Sequence, residues 1–202
     1  DGKEAIDIQQ FTQEKSESEL PELLLVGRLT EKKGCIYLLQ AMLILKTRYP
    51  DIKLTIVGDG PLKKGLVSYA KENGLNVDFV GKEPAERIRS RLARSWVFVA
   101  PSITAENGDA EGLGMVFLEA QALKTPVASF RSGGVVEAVK DGTTGLLAEE
   151  KDVASLADNI AYFIDSEATR IEYGANGRER VEQKFDIRKQ CLLLEDIYDS
   201  VR

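Results

Sequence analysis

The feature that most constrains the fold is a regular alternation of short apolar runs with longer amphipathic stretches. Runs with the length and composition of buried strands lie at residues 23–27, 54–58, 77–81, 96–101, 127–130 and 145–148. Helical patterns separate them at residues 34–48, 61–72, 83–93, 113–123 and 134–139. Because apolar strands with little polar interruption alternate with helices, the sequence predicts a doubly wound α/β fold around a parallel sheet.

The length of 202 residues suits one well-buried α/β domain. We predict three parts: a polar connector remnant over 1–21, a Rossmann-like core over 22–150, and a helical segment of the same domain over 151–202. The opening residues do not look like a natural start, which predicts an excised piece of a longer protein. In doubly wound folds the carboxyl ends of the strands bind ligands, and the glycine-bearing turns fall at those ends.

Composition excludes several classes of function. The net charge is −6 and no histidine is present, so the sequence predicts no nucleic-acid partner and no imidazole catalysis. Only Cys35 and Cys191 are available as thiols, with no metal-ligand spacing, so neither disulfides nor a metal site are expected. No apolar run reaches the roughly 20 residues of a membrane span. We therefore predict a cytoplasmic domain, leaving open a peripheral association of the full-length protein with a membrane.

The most specific motif places two carboxylates, Glu111 and Glu119, on either side of a glycine pair, Gly112 and Gly114. The glycines lie at a strand-to-helix junction, where free backbone N–H groups and the helix dipole favour an anion. Eight residues of helix separate the two acids by about 12 Å along the axis. They therefore predict contacts to two parts of one elongated ligand rather than a hydrolytic pair.

This pattern of a Glu, seven residues and a second Glu resembles the signature of the retaining glycosyltransferases of family 4, which have two Rossmann-like halves in the GT-B arrangement. Other segments resemble blocks of that family between residues 22 and about 148, namely 26–34, 56–61, 132–134, Glu137 and 141–145. Residues 101–112 resemble the branch that builds bacterial exopolysaccharides of the colanic-acid type. By this resemblance the chain is the C-terminal, donor-binding half, and the acceptor-binding half would precede residue 1.

The resemblance implies a metal-independent transferase that uses a UDP-sugar or GDP-sugar as donor and needs no cofactor. It assigns Arg28 and Lys33 to the diphosphate, with Lys32 as the neighbour most easily confused with Lys33. Glu111 would contact the sugar and stabilise the oxocarbenium-like centre, and Glu119 would bind the ribose hydroxyls. The base would lie near the end of the third strand. The other donor-binding positions are Gly27, Gly58, Val80, Gly81, Lys82, Gly112, Leu113, Gly114 and Met115.

The acceptor, a glycan or a lipid-linked glycan, would bind through the other half, so this chain alone is expected to transfer no sugar. Three alternatives stay open: half of a nucleotide-sugar 2-epimerase, a dinucleotide-binding oxidoreductase or receiver-like module, and a non-catalytic nucleotide-binding Rossmann module. The second is disfavoured because Lys63 stands where a dinucleotide loop needs its third glycine. The arginine-rich stretch 87–94 is interpreted as a solvated helix face.

Overall fold

A computed structural model of the chain describes residues 5–191. Its centre is one six-stranded parallel sheet in the order β3-β2-β1-β4-β5-β6. The predicted doubly wound α/β fold is confirmed. The strands are β1 Glu22–Val26, β2 Lys53–Val57, β3 Val77–Gly81, β4 Val97–Val99, β5 Val127–Phe130 and β6 Gly145–Ala148.

The strand order reverses between β1 and β4, because the chain first builds outward to β3 and then returns to the other side of β1. In such a sheet the loops at the carboxyl ends of the two central strands diverge and leave a crevice. The strand predicted over 96–101 is shorter in the structure and ends at Val99. Pro101 has no N–H to continue the ladder, which is the physical reason for the earlier end.

Helices cover both faces of the sheet. On one face α1, α2 and α6 pack in a core cluster with β1 and β2, and on the other α3, α4, α5 and α7 pack in a second cluster. The helices are α1 Cys35–Leu45, α2 Lys63–Glu72, α3 Ala85–Arg94, α4 Met115–Ala122, α5 Val135–Ala138, α6 Val153–Asp165 and α7 Glu167–Lys184. The predicted C-terminal helices are therefore present, whereas residues 192–202 lie outside the described part.

The central strand shows why this sequence needs two layers. Leu23, Leu24 and Leu25 are all fully buried, with Leu23 and Leu25 in one cluster and Leu24 in the other. Successive side chains of a strand point to opposite faces, so an uninterrupted leucine run requires apolar cover on both. Burying each such side chain stabilises the fold by about 1.5–3 kcal/mol.

The segment before β1 packs against the rest of the domain. Arg178 on α7 donates to the carbonyl of Phe11 at 2.8 Å and to that of Ala122 on α4 at 2.7 Å. The division into residues 1–21, 22–150 and 151–202 stays a prediction. Across residues 5–191, no helix is both long and apolar enough to cross a membrane, and no group of three or more His, Cys, Asp or Glu side chains is placed to hold a metal ion.

Candidate functional site

A cavity of about 700 Å³ opens at the carboxyl ends of β1, β2 and β3. Its volume lies in the range of pockets that hold a small molecule the size of a nucleotide. Four of the residues predicted to bind a ligand, Gly27, Arg28, Gly58 and Lys82, line it together. The complete lining is Val26, Gly27, Arg28, Val57, Gly58, Asp59, Gly60, Lys82, Glu83 and Ile88.

Gly58 allows the floor of this cavity to form. Its φ is +138°, and a Cβ at this position would lie 1.9 Å from the carbonyl oxygen of Gly27, so only glycine fits. The N–H of Gly58 donates to the carbonyl of Gly81 at 2.7 Å. Val80 packs against the core cluster that includes Leu24. Neither Val80 nor Gly81 is among the residues that line the cavity, and their contact with a base stays a prediction.

Lys33 and Glu111 form the second part of the site. The ammonium of Lys33 contacts the Oε2 atom of Glu111, and the two side chains are only 14% and 9% exposed. The buried Ser102 also donates to Oε2, at 3.3 Å. Lys32 instead pairs with Asp109 at 3.0 Å. The structure therefore separates the two neighbouring lysines and brings Lys33 to the first acid of the motif.

Arg28 and Lys33 flank the same glycine but face different surroundings. A Cβ at Gly27 would lie 3.2 Å from the Lys33 Cε, so the lysine side chain passes close beside this turn. Arg28 is exposed and lines the cavity. One cation is therefore available to a ligand in the cavity, whereas the other is already paired with Glu111.

The amino terminus of α4 adjoins this pair. Gly114 precedes the helix with φ at +69°, and no side chain caps it, whereas Asp152 caps α6 and Ser166 caps α7. The first turn of a helix has N–H groups without intrahelical partners, so an uncapped start favours an anion. Glu111 lies in the loop four residues before Met115, so the continuous helix assumed between the two acids is not present, and Glu119 lies one turn rather than two turns into the helix.

Glu119 lies one turn into α4 and is partly buried. Burial raises the pKa of its carboxyl group, and the positive charge of Arg89 on α3 offsets part of that rise. Among residues 5–191, no cation lies within 4 Å of the Glu119 carboxylate. Arg89 lies 5.8 Å from the ring centroid of Phe11, and its buried Nε has no hydrogen-bond partner in the same described range.

The arginine-rich stretch 87–94 is not a uniformly solvated face, which corrects the sequence interpretation. Arg91 donates from Nε to Glu83 at 2.6 Å and from a terminal nitrogen to the other Glu83 oxygen at 2.8 Å. This bidentate hydrogen bonding lowers the pKa of the Glu83 carboxyl. Sequence reasoning missed Glu83, Asp59 and Ile88 as lining residues. Pro84, which precedes α3, was the available signal that Glu83 lies at the cavity rather than inside a helix.

The strand order and the crevice at the carboxyl ends define a Rossmann-like α/β domain with its ligand site at the sheet edge. A family model described as "Glycosyl transferases group 1" matches residues 7–180. The chain therefore belongs to the glycosyl transferases group 1 family. The stretch from Glu111 to Glu119, whose pattern resembles the family signature, lies within the matched residues.

Similar proteins agree with this assignment. The amylovoran biosynthesis glycosyltransferase AmsK of Erwinia amylovora is 34% identical over 166 residues, which cover 81% of this chain and 41% of that protein. The GDP-mannose-dependent monoacylated alpha-(1-6)-phosphatidylinositol monomannoside mannosyltransferase of Corynebacterium glutamicum is 36% identical, covering 82% and 43%. The chain thus spans less than half the length of these curated relatives.

A solved structure shows the same fold. Alr3699/HepE of Anabaena, in a complex with UDP, superposes with a TM-score of 0.82 at 22% identity. The match covers 97% of this chain and 56% of that one. At this identity the likeness concerns the architecture alone.

Proposed function

We propose that this chain binds the nucleotide-diphospho-sugar donor of a retaining, metal-independent glycosyltransferase that extends a bacterial exopolysaccharide or related glycan. The observation that carries the proposal is the cavity containing Gly27, Arg28 and Lys82, which adjoins the Lys33–Glu111 pair at the uncapped start of α4. An elongated, doubly charged ligand fits such a site because its anionic middle would meet cations and free N–H groups.

The diphosphate would be held by Arg28, Lys33 and the backbone N–H groups of residues 113–115. Charge develops on the diphosphate as the glycosidic bond breaks, and fixed positive groups stabilise that charge best when water is excluded. Lys33 is only 14% exposed, so its ammonium acts in a partly dry environment. We infer that these groups perform the neutralisation that a divalent metal performs in other transferases.

Glu111 would have two partners during the reaction. In the structure its Oε2 accepts from both Lys33 and Ser102. When a phosphate binds Lys33, we expect the ammonium to be shared between the two anions, which leaves Glu111 oxygens free to accept from sugar hydroxyls. Its negative charge would then stabilise the oxocarbenium-like centre of a retaining transfer.

Glu119 would accept hydrogen bonds from the ribose hydroxyls, as an acidic residue does in dinucleotide sites. Its carboxylate is partly buried and has no close cation in the described chain, so two hydroxyl donors would compensate its lost hydration. The positive charge of Arg89 opposes the rise in the pKa of this carboxyl group. The base would then reach the end of the cavity near Lys82.

The similar proteins support the donor class without deciding the base. The Corynebacterium relative is named as GDP-mannose-dependent, and the Anabaena structure holds UDP. AmsK is named for amylovoran biosynthesis, which supports a glycan as the product. Because the chain spans less than half of the two curated relatives, the acceptor, a glycan or a lipid-linked glycan, would bind elsewhere in a longer protein.

Thermal melting of the 202-residue chain tests the proposal. With UDP or GDP at about ten times its dissociation constant, binding should add about 1.4 kcal/mol of stability and raise Tm by roughly 3 °C. NAD at the same concentration should leave Tm unchanged, and Arg28→Ala should abolish the shift. Titration calorimetry that records no heat with either nucleotide at millimolar concentration would contradict the donor-binding role.

A further inference from the structure

A second cavity, of about 680 Å³, lies between the segment before β1, the end of α4 and α7. A smaller cavity of about 500 Å³ adjoins it, and Lys15 and Lys124 line both. Lys124 lies three residues before the start of β5, so these cavities are at the amino ends of the strands. They are therefore separate from the cavity at the carboxyl ends of β1, β2 and β3.

The two arginines beside these cavities are already paired. Arg178 on α7 pairs with Glu182, and Arg170 binds Glu17 at 2.7 Å. The two lysines differ from the arginines, because among residues 5–191 no carboxylate oxygen lies within 4 Å of either ammonium. They are therefore the cations available to a bound anion. The remaining acids of the two linings are exposed to solvent, namely Glu14 and Glu167.

Lys15 is partly buried, and its ammonium has one donor to spare. The ammonium donates to the carbonyl of Ser95 and, at 3.0 Å, to the Oγ1 atom of Thr125. An ammonium has three N–H groups, so these two bonds leave one N–H without an acceptor. Burial lowers the pKa of Lys15 to about 8, and the negative charge of Glu17 opposes part of that decrease. A bound anion would supply the third acceptor and compensate the lost hydration.

Lys124 has a backbone conformation that lysine seldom adopts. Its φ is +58°, at the position after a helix where glycine is usual. The turn is fixed by α7, because a Cβ at Gly174 would lie only 2.2 Å from the carbonyl oxygen of Lys124. Left-handed backbone at a non-glycine residue costs free energy, and strain of this kind clusters at functional sites. The exposed Lys124 side chain has no hydrogen-bond partner within the described chain.

Gln13 is a third polar group without a partner. Its side chain lines the larger cavity, and its Oε1 atom is buried with no hydrogen bond in the described range. The amide nitrogen makes no hydrogen bond there either, so exchanging the two amide atoms would not satisfy the group. A hydroxyl group both donates and accepts, and it would therefore pair with this amide in either orientation.

We propose that the larger cavity is a binding site for a small phosphorylated sugar, separate from the donor site. Lys124 and the spare N–H of Lys15 would bind the phosphate, and a sugar hydroxyl would bind Gln13. The ligand would connect the segment before β1 with the end of α4. This inference goes beyond the donor-binding function and does not depend on it.

Titration calorimetry of the 202-residue chain compares glucose 6-phosphate, inorganic phosphate and glucose. Glucose 6-phosphate should bind about fivefold more tightly than inorganic phosphate, because the hydroxyl bond to Gln13 adds to the same ionic contacts. Glucose lacks the charge and should give no measurable heat at the same concentration. Gln13→Leu should lower the affinity for glucose 6-phosphate about fivefold and leave that for inorganic phosphate within about twofold.

Lys124→Gly removes the cation without disturbing the fold, because glycine adopts this φ freely. The affinity for both phosphate ligands should fall about tenfold or more, through the loss of a charge-assisted hydrogen bond. Lys151→Gly is the matched control, since Lys151 is also an exposed lysine with a positive φ, +69°, and lines neither cavity. It should change both affinities by less than about twofold. Any phosphate bound in the donor cavity is common to the two variants, so their difference reports this site. Circular dichroism melting confirms that each variant is folded.

Four results would overturn the inference. Absence of heat with glucose 6-phosphate at millimolar concentration would show that the cavity does not bind it. Equal losses in Lys124→Gly and Lys151→Gly would describe a general effect of positive charge rather than a site. Glucose binding as tightly as glucose 6-phosphate would contradict the ionic contacts, and an unchanged affinity for glucose 6-phosphate in Gln13→Leu would contradict the sugar contact. The donor function is tested with nucleotides and stands or fails independently of these results.

Discussion

Glu111 and Glu119 begin and end the same motif, yet their surroundings differ. Glu111 lies in the loop before α4, where Lys33 and Ser102 both contact one of its oxygens. Glu119 lies inside α4, with burial raising its pKa and only the longer-range charge of Arg89 opposing that rise. The negative charge of Glu111 is therefore balanced by partners within the protein, whereas the charge of Glu119 would be balanced only by a bound ligand. A carboxylate of the second kind costs stability until a ligand supplies donors, which suits ribose hydroxyls.

The largest expected effects concern Arg28 and Lys33, the two cations proposed to hold the diphosphate. In the longer transferase proposed to contain this chain, Arg28→Ala and Lys33→Ala should each lower kcat by about 10²-fold or more, as removal of one transition-state charge stabiliser does elsewhere. Transfer assays with and without a chelator measure this, and Lys64→Ala, an exposed cation on α2, is the control. Loss of activity in chelator, or full turnover in both variants, would show that the positive charge comes from another source.

Substitution of Glu119 should change the affinity for the nucleotide rather than kcat. Glu119→Gln should weaken binding of a ribonucleoside diphosphate by about 1.5–3 kcal/mol, because a hydrogen bond to a charged acceptor is lost. The deoxyribose analogue lacks one of the hydroxyls and should lose less. Titration calorimetry of the wild-type chain and of Glu119→Gln, each with the ribose and the deoxyribose ligand, measures both losses. Equal losses for the two sugars would place Glu119 away from the ribose.

A stability measurement sharpens the contrast between the two cations. Lys33→Ala leaves the nearly buried Glu111 without its ion-pair partner and should lower the free energy of unfolding by about 1–2 kcal/mol. Arg28→Ala removes an exposed side chain and should change it by less than about 0.5 kcal/mol. Urea unfolding followed by the fluorescence of the single tryptophan, Trp96, provides both values. Adding Glu111→Gln to Lys33→Ala should recover part of the loss, and no recovery would contradict the pairing.

The fold and the position of the candidate site could be predicted from the sequence. Strands buried on both faces appear as apolar runs, so β1 and β2 were predicted to within a residue or two of their ends. Glycine turns at those ends indicated where a ligand site would lie. The motif from Glu111 to Glu119 then indicated that the start of a helix lies beside that site. These features are local in the chain, and hydrophobic period and turn chemistry report local structure well.

The ion-pair partners of the charged side chains could not be predicted from the sequence. Whether Lys32 or Lys33 reaches Glu111 depends on the short 3₁₀ helix Glu31–Lys33, which directs the two side chains apart. The Glu83–Arg91 pair joins a loop to the second turn of α3, and its formation depends on how that helix packs. Main-chain pairing, as in the hydrogen bond from Gly58 to Gly81, also decides which groups line the cavity, and a sequence does not show that pairing.

The smallest predicted effect tests whether the Glu119 carboxylate lowers the stability of the ligand-free chain. Its pKa in the folded chain is raised, so the folded state binds this proton more tightly than the unfolded state. The stabilising contribution of the protonated group is complete below the unfolded pKa, near pH 4.5, and is lost as pH rises through the folded pKa. At pH 7 the ionised carboxylate therefore destabilises the ligand-free chain, and Glu119→Gln should raise Tm by roughly 2 °C. At pH 4, below the ordinary glutamate pKa of 4.5, the Glu119 carboxyl is mostly protonated in both the folded and the unfolded state, so the same substitution should change Tm much less. Melting curves at the two pH values, with Glu86→Gln as an exposed control, measure the difference. A Glu119→Gln protein that melts lower than wild type at pH 7 would mean that the carboxylate is already compensated within the domain, and the contrast with Glu111 would then be lost.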